Sequence, residues 1–459
     1  MRSIPFVALA SGLLAAVAPS AVHAQAPRRM PTIPVEYHRL PNGLRVVLST
    51  DHTAPTVTVA VYYNVGLRLE PRNRTGFAHL FEHMMFQGST NLGKMEFARL
   101  VQGNGGQFNG STRFDFTNYF EILPAHKLET ALWAEADRMR GLDITQDNLT
   151  NQQGVVKNEV RVNVLNQPYG GFPWLDLPQY ANENWYNAHN FYGDLNDLDS
   201  ATLDDVQQFF RTYYAPNNAA LVVTGDFDPR EALAWIRRYF GNIPRGPAIT
   251  PPDISEPRQT TEKRAARDDK LAPRPALAIG WKMPTRNTPE YWAMGLIDAI
   301  LLQGRDSRLH QNIVQRAGLA GNVSGGINLL GNMFNYNGPM LWTVSLIHDA
   351  NRTADTILAH VDEEIRRLQQ APVDAATLQR ARVKIRSQLY NVFGSQFGRA
   401  DMLASFALFD DDPSRINGLE AEFARVTPEL IQRTAREYLR STNRTILTLT
   451  PGAATGTED

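Results

Sequence analysis

The alternation of apolar and polar positions lays out the first elements of the chain. Tyr37–Leu40 and Leu44–Ser49 flank Pro41-Asn42-Gly43, a hairpin signal. Val57, Val59, Val61, Tyr63 and Val65 then recur at every second position, as in a strand with one buried face. A helix is predicted over Gly76–Phe86, followed by a glycine-rich segment and a strand over Phe114–Leu123. Helices are predicted over about Lys127–Arg140 and Asn148–Leu165, and again after Thr202. The run Tyr213-Tyr214-Ala215-Pro216-Asn217-Asn218 then leads into a strand, Ala220–Thr224.

The same order then returns. Residues from about Arg245 to Pro275 are rich in proline, charge and small side chains, which marks 246–275 as a linker between domains at 33–245 and 276–452. Beyond it, Ala276–Trp281 reads as a strand and Tyr291–Leu302 as a helix. That helix ends in Gln303-Gly304, as the earlier one ends in Gln87-Gly88, 216 residues before. Thr202-Leu203-Asp204-Asp205-Val206-Gln207 is echoed by Thr427-Pro428-Glu429-Leu430-Ile431-Gln432, and both threonines suit a helix N-cap. The strand Ala220–Thr224 is echoed by Thr445–Leu449. The conserved order of these pieces points to a tandem duplication.

Composition narrows the setting. The chain has 459 residues, too many for one ordinary core, and a formal net charge of −1 with no long block of like charge. Nucleic acid and anionic membranes are therefore not expected partners. Met1-Arg2, the apolar run Ile4–Val17, Pro19 and Val22-His23-Ala24 read as a cleavable signal over 1–24. A mitochondrial presequence would space its arginines along an amphipathic helix, whereas here the apolar run is continuous. No later segment has the ~20 apolar residues of a membrane span, so the expected location is periplasmic. The chain has no cysteine, which excludes disulfides and thiolate metal ligands.

His79-Leu80-Phe81-Glu82-His83 is the candidate chemistry. On a helix, residues four apart project from one face, so both imidazoles reach a single ion. Glu82 falls in the same sector, while Phe77, Phe81 and Met84 lie nearly opposite and can anchor the helix. With ten histidines in the chain, a chance cluster of this form is uncommon. A catalytic zinc takes three protein ligands and keeps a fourth position for water, so one ligand is missing. A carboxylate on another helix is the natural third. Spacing alone does not separate Glu159 from Glu135 or Asp137.

His79–His83, Glu159 and the Tyr-Tyr-Ala-Pro-Asn-Asn segment together resemble the M16 peptidases, the pitrilysin and mitochondrial processing peptidase group. In that family the third ligand lies about 76 residues beyond the second histidine, and Glu159 lies 76 residues beyond His83. The resemblance runs from about Tyr37 to the C-terminus and is strongest at Gly76–Ser89, Asn109–Phe120 and Thr202–Pro244. It implies an α+β fold of two homologous domains, each a mostly antiparallel sheet with helices packed on it. Asn109-Gly110-Ser111-Thr112, continuing to Asp115, Thr117 and Tyr119, is similar to the family's edge strand beside the zinc, on which an extended substrate pairs. Gln152 departs from the family, whose members often carry glutamate there.

The function this implies is hydrolysis of peptide bonds in extended or unfolded polypeptides, with one Zn2+ per chain and Glu82 as general base. Two rivals stand beside it: a catalytically silent peptide-binding subunit, and a metal-dependent hydrolase of small molecules. The small molecule has no use for a strand-pairing edge. Aligned on Gln-Gly, the second half carries Gly295, Asp298 and Ala299 where the first has His79, Glu82 and His83. Relatives place an Arg and a Tyr seven residues apart in the corresponding domain or in a separate subunit. Here Val314 and Gly321 occupy those positions, with Arg316 nearby as a substitute for the arginine. The expected partner is a homologous non-catalytic subunit that supplies the Arg/Tyr pair.

Overall fold

The computed structural model describes residues 30–452, so the expected signal at 1–24 lies outside the described residues. The first sheet is built from β1 (Glu36–Arg39), β2 (Arg45–Thr50), β3 (Thr56–Tyr63), β4 (Gln107–Thr112), β5 (Thr117–Pro124) and β6 (Ala219–Gly225). Its order is β1-β2-β6-β3-β5-β4, antiparallel except for the parallel pair β2 and β6. Five helices of the first half matter below: α1 (Phe77–Met84), α2 (Glu96–Gly103), α3 (Leu128–Arg140), α4 (Gln146–Val160) and α5 (Asp176–Ala181).

The second sheet contains β7 (Lys263–Asp269), β8 (Ala276–Lys282), β9 (Ser324–Ile327), β10 (Leu341–Ile347) and β11 (Arg444–Pro451), in the order β7-β11-β8-β10-β9. Strand for strand this repeats β2-β6-β3-β5-β4, including the one parallel pair, here β7 with β11. The α+β duplication expected from the sequence is the fold observed. The expected linker is corrected, because 246–275 contains β7, the counterpart of β2. Lys-Arg-Ala-Ala-Arg-Asp-Asp is mostly charged and has no large apolar side chain, which hides an edge strand.

The expected one-sided burial of β3 is also corrected. Thr58, Ala60 and Tyr62 are as buried as Val57, Val59 and Val61. One face of the sheet carries helices of its own half, and the other is covered by the helix Gln396–Phe409 from the second half. Phe397 stacks on Phe120 at 3.9 Å, and Tyr62 Oη donates to Asp401 Oδ1 at 2.8 Å. The exchange is reciprocal. Helix α5 crosses to the second sheet, where Leu177 and Ala181 pack with Ala278, Leu341 and Leu447. A Cβ on Gly280 would come within 2.9 Å of Leu177, so the glycine lets α5 lie close. Each half thus covers the other's sheet, and from Thr32 on the chain forms one compact unit.

Other boundaries shift for local reasons. The strand expected from Phe114 begins at Thr117, because residues 113–116 form the tight turn between β4 and β5, closed by Arg113 N–H to Phe116 O at 2.8 Å. The helix expected to Leu165 stays α-helical to Val160 and widens over Arg161–Leu165. Thr202 and Thr427 both cap, accepting from Asp205 N–H and Leu430 N–H at 3.2 Å. Among the described residues no helix is long and apolar enough to cross a membrane.

Candidate metal centre

Helix α1 starts after Gly76, whose φ of 81° suits glycine and where a Cβ would meet Tyr192 O at 2.5 Å. Phe77, Leu80, Phe81 and Met84 are buried against the core, with Phe81 stacked on Phe209 at 4.8 Å. That packing turns His79, Glu82 and His83 to the opposite side, toward α4. There Glu159 Oε1 lies 3.6 Å from His79 Nε2, and Oε2 lies 3.1 Å from His83 Nε2. One ligand atom from each of the three falls within 4.8 Å of the others. The two imidazole planes are near perpendicular, 4.9 Å apart. Two imidazoles and a carboxylate at this spacing suit an ion with bonds of roughly 2.0–2.2 Å after small side-chain adjustment.

The electrostatics favour ligand forms. Burial, and then neighbouring His83, push the His79 imidazole down to about 4, so it is neutral at physiological pH. The hydrogen bond from His83 holds the Glu159 carboxyl below its ordinary range. Glu82 is the odd member. Burial raises its carboxyl, against the opposing hydrogen bond from Thr112 Oγ1 to Oε2 at 2.8 Å. It points to the same space as the trio without belonging to it.

Comparison with known proteins gives the family. A family profile described as Insulinase (Peptidase family M16) matches residues 45–169, which contain all four residues. A second, described as Peptidase M16 inactive domain, matches residues 200–384. The chain belongs to the M16 peptidase family. A Helicobacter pylori protein named Zinc protease PqqE is 25% identical over 421 residues, 90% of this chain and 92% of the relative. The crystal structure of a protease from Helicobacter pylori superposes with a TM-score of 0.83 at 24% identity, over 92% of this chain and 100% of that one. The periplasmic protease PqqL from Escherichia coli superposes with a TM-score of 0.71 at 18% identity, over 92% of this chain and 48% of that one.

Beside the trio, Asn109, Gly110, Ser111 and Thr112 lie on β4, which pairs with β5 on one side and ends the sheet on the other. The backbone passes close to Glu82, since a Cβ on Gly110 would lie 3.3 Å from Glu82 Cγ. Thr112 is buried and bonded to Glu82, and Ser111 Oγ donates across the hairpin to Asn118 Oδ1. The downstream residues of that motif do structural tasks. Asp115 Oδ2 accepts from Arg68 Nη1 at 2.7 Å and from Asn337 N–H at 2.8 Å. Thr117 Oγ1 donates to Val65 O at 2.8 Å, and Tyr119 Oη donates to Phe81 O of α1 at 3.1 Å. Gln152 is buried on α4, its amide donating to Asn151.

Sequence reasoning missed an aromatic wall. Tyr192 meets His79 edge-on at 5.0 Å, and Trp174 packs edge-on against Phe191 and Tyr192. Burial, then the Glu159 and Glu82 carboxylates, push the Tyr192 phenol up to about 12, so it remains a hydrogen-bond donor. No spacing rule marks it, because it arrives from a loop 33 residues after Glu159. In the second half, Asp298 accepts from Trp342 Nε1 at 2.7 Å, and burial pushes its carboxyl up to about 6. Arg316, which the sequence offered as a substitute arginine, pairs with Glu364 at 3.4 Å.

Proposed function

We propose that the chain is a zinc metalloendopeptidase acting on extended or unfolded polypeptides. The observation that carries this reading is the Glu82 carboxylate, tethered by Thr112 beside His79, His83 and Glu159. A zinc ion in such a site supplies a bound water of near-neutral pKa and a Lewis acid for the substrate carbonyl. His79, His83 and Glu159 hold the ion. Thr112 engages Glu82 Oε2, which leaves Oε1 to take a proton and return it to the leaving amine. The free edge of β4, at Asn109, Gly110, Ser111 and Thr112, pairs with the main chain of an extended substrate.

The inactive-domain profile covers residues 200–384 and none of the four site residues, so it does not favour a silent subunit. The second domain in this reading begins at β7 rather than at 276. Export to the periplasm under a signal over 1–24 is part of the proposal, supported by a relative described as periplasmic. So is a homologous subunit bearing an Arg/Tyr pair, supported by Val314 and Gly321 standing at the two matching positions. The test is zinc content and cleavage of an unstructured peptide by the purified mature chain, alone and with any neighbouring homologous subunit. About one zinc per chain and chelator-sensitive cleavage are expected. A zinc-loaded chain inert in both settings overturns the reading.

A further inference from the structure

Helix α1 has no capping side chain of its own, because Gly76 holds the N-cap position. Its first-turn amides are taken from a distance. Glu70 Oε2 accepts from Gly76 N–H at 2.9 Å and Oε1 from Ala78 N–H at 2.8 Å, the residue directly before His79. Glu70 is 1% exposed and lies in the position a helix dipole favours for negative charge. The carboxylate is itself held. His189 Nε2 lies 3.3 Å from Oε2, its Nδ1 bonds Trp185 O at 2.9 Å, and its ring stacks on Trp185 at 4.1 Å. Both nitrogens and one face of the imidazole are fixed.

Two residues earlier, on the helical turn Leu67–Leu69, Arg68 reaches the other way. Its Nε donates to Asn187 Oδ1 at 2.8 Å, its Nη1 to Asp115, and its Nη2 to Pro339 O of the second half. Asn187 Nδ2 donates in turn to Ile254 O and Glu256 Oε1, both at 2.8 Å, beyond the first half. The grip on α1 and the anchor on the second half are separated by Leu69 alone.

We propose that Glu70 is a positioning residue for the metal helix, and that Arg68 ties this position to the second half. A two-point carboxylate fixes both the axial shift and the rotation of the first turn, and so the distance from His79 to Glu159 on another helix. Sites assembled from two elements tolerate only about 0.5 Å of error. The half that lacks the histidines thereby contributes to the site by placing it. This inference rests on the zinc reading above.

The experiment measures zinc affinity by competition with a chromophoric chelator on the full mature chain, with thermal unfolding and amide exchange of the zinc-free protein in parallel. The variants are Glu70→Ala, Glu70→Gln, Arg68→Met and the Arg68/Glu70 double variant. The control is Asp228→Ala, which removes a cap from the helix Pro229–Phe240, where Asp228 Oδ1 accepts from Arg230 N–H at 2.7 Å. Glu70→Ala is expected to weaken zinc about 10- to 100-fold, the range for groups that orient metal ligands. Glu70→Gln, which keeps one acceptor oxygen, should lose less. The double variant should lose less than the product of the single fold-changes, because both act through one turn. Asp228→Ala should lower thermal stability and leave zinc affinity unchanged. If Glu70→Ala does not fold, Glu70→Gln and Arg68→Met decide. Affinity within twofold of the parent in the folded variants, or equal weakening in Asp228→Ala, overturns the inference. A parent that binds no zinc sinks the zinc reading instead. The exchange data then decide this one: faster exchange at Gly76–Leu80 in the Glu70 variants than in Asp228→Ala supports it, and unchanged exchange overturns it.

Discussion

The two halves share a strand order and differ in the side chains their matching helices present. Helix α1 is packed on one side and meets α4 and the β4 edge on the other, so His79, Glu82 and His83 face a space they can use. Its counterpart Pro289–Leu301 packs on Pro428–Tyr438 and Ala375–Gly394, and its face at Gly295 and Asp298 opens on a cavity of about 400 Å³. At Gly295, the match to His79, a Cβ would already lie 2.9 Å from Phe423 and 3.0 Å from Met333. Ala299 is fully buried. Asp298 keeps the carboxyl of Glu82 but gives it to an indole. The scaffold is therefore indifferent to chemistry, which depends on the side chains an open helix face carries and on a carboxylate brought by a second helix.

The sharpest way to test this contrast is to neutralise the two matching carboxyls. Glu82→Gln should retain zinc and reduce peptide cleavage by about 10²–10⁴-fold, the usual weight of a positioned base. Zinc content and initial rates on one preparation give the answer. Loss of zinc with the activity would mean that Glu82 is a ligand.

How much of this was legible in the sequence follows from how local each signal is. His79, Glu82 and His83 lie on one helical turn, so periodicity alone groups them. Glu159 comes from another helix, and single-sequence spacing left Glu135 and Asp137 equally eligible. In the structure Glu135 is fully buried against Arg138, and Asp137 accepts from Ser89 Oγ and Asn91 N–H. The duplication was visible in the order of elements, whereas β7 was not, because a charged edge strand without large apolar side chains looks like a linker. Glu70 was invisible for a related reason, since it caps a helix from six residues upstream. The second covered face of β3 depends on a helix more than 300 residues away in sequence, which no local pattern encodes.

Next in size is the exchange of helices. Leu177 on α5 is fully buried against Ala278, Leu341 and Leu447 of the other half. Leu177→Ala should cost about 2–5 kcal/mol in chemical denaturation, as for other buried leucines. A loss below about 1 kcal/mol would mean that the halves do not depend on this contact.

Asp298→Asn should change stability in the opposite direction. The folded carboxyl titrates at about 6, above its ordinary 3.8, and burial is the main cause. Such a group stabilises the fold fully below pH 3.8, and that contribution is lost as pH rises through 6. Asparagine keeps an acceptor for Trp342 and carries no charge to bury. Asp298 lines a cavity of about 400 Å³ that water can enter, so the gain at pH 7 should be about 1–2 kcal/mol, below the roughly 3 kcal/mol of a dry site. Parent and variant should converge near pH 4 in urea unfolding. A gain independent of pH would assign it to packing.

The smallest expected difference separates the two caps that close the halves. Thr202 belongs to a reciprocal box: its hydroxyl oxygen accepts from Asp205 N–H, and Asp205 Oδ2 accepts from Thr202 N–H at 2.9 Å. Thr427 accepts from Leu430 N–H, where leucine cannot return the bond. Replacing a cap threonine by alanine costs about 1 kcal/mol on average. Thr202→Ala should sit at or above that figure and Thr427→Ala below it. The Asp205 carboxyl is held below its ordinary value, burial being outweighed by its bonds to Thr202 and Arg74. A depressed carboxyl stabilises the fold above its unfolded value and loses that contribution as pH falls through its folded value. The cost should therefore shrink from pH 7 to about pH 3 at both positions, since the Glu429 carboxyl is also lowered by its own N–H and then by Thr427. It should shrink more at Thr202, where Asp205 accepts from both the N–H and the hydroxyl of Thr202. Unfolding midpoints of both variants across that range measure it, and identical profiles would show that the box adds nothing to a single cap.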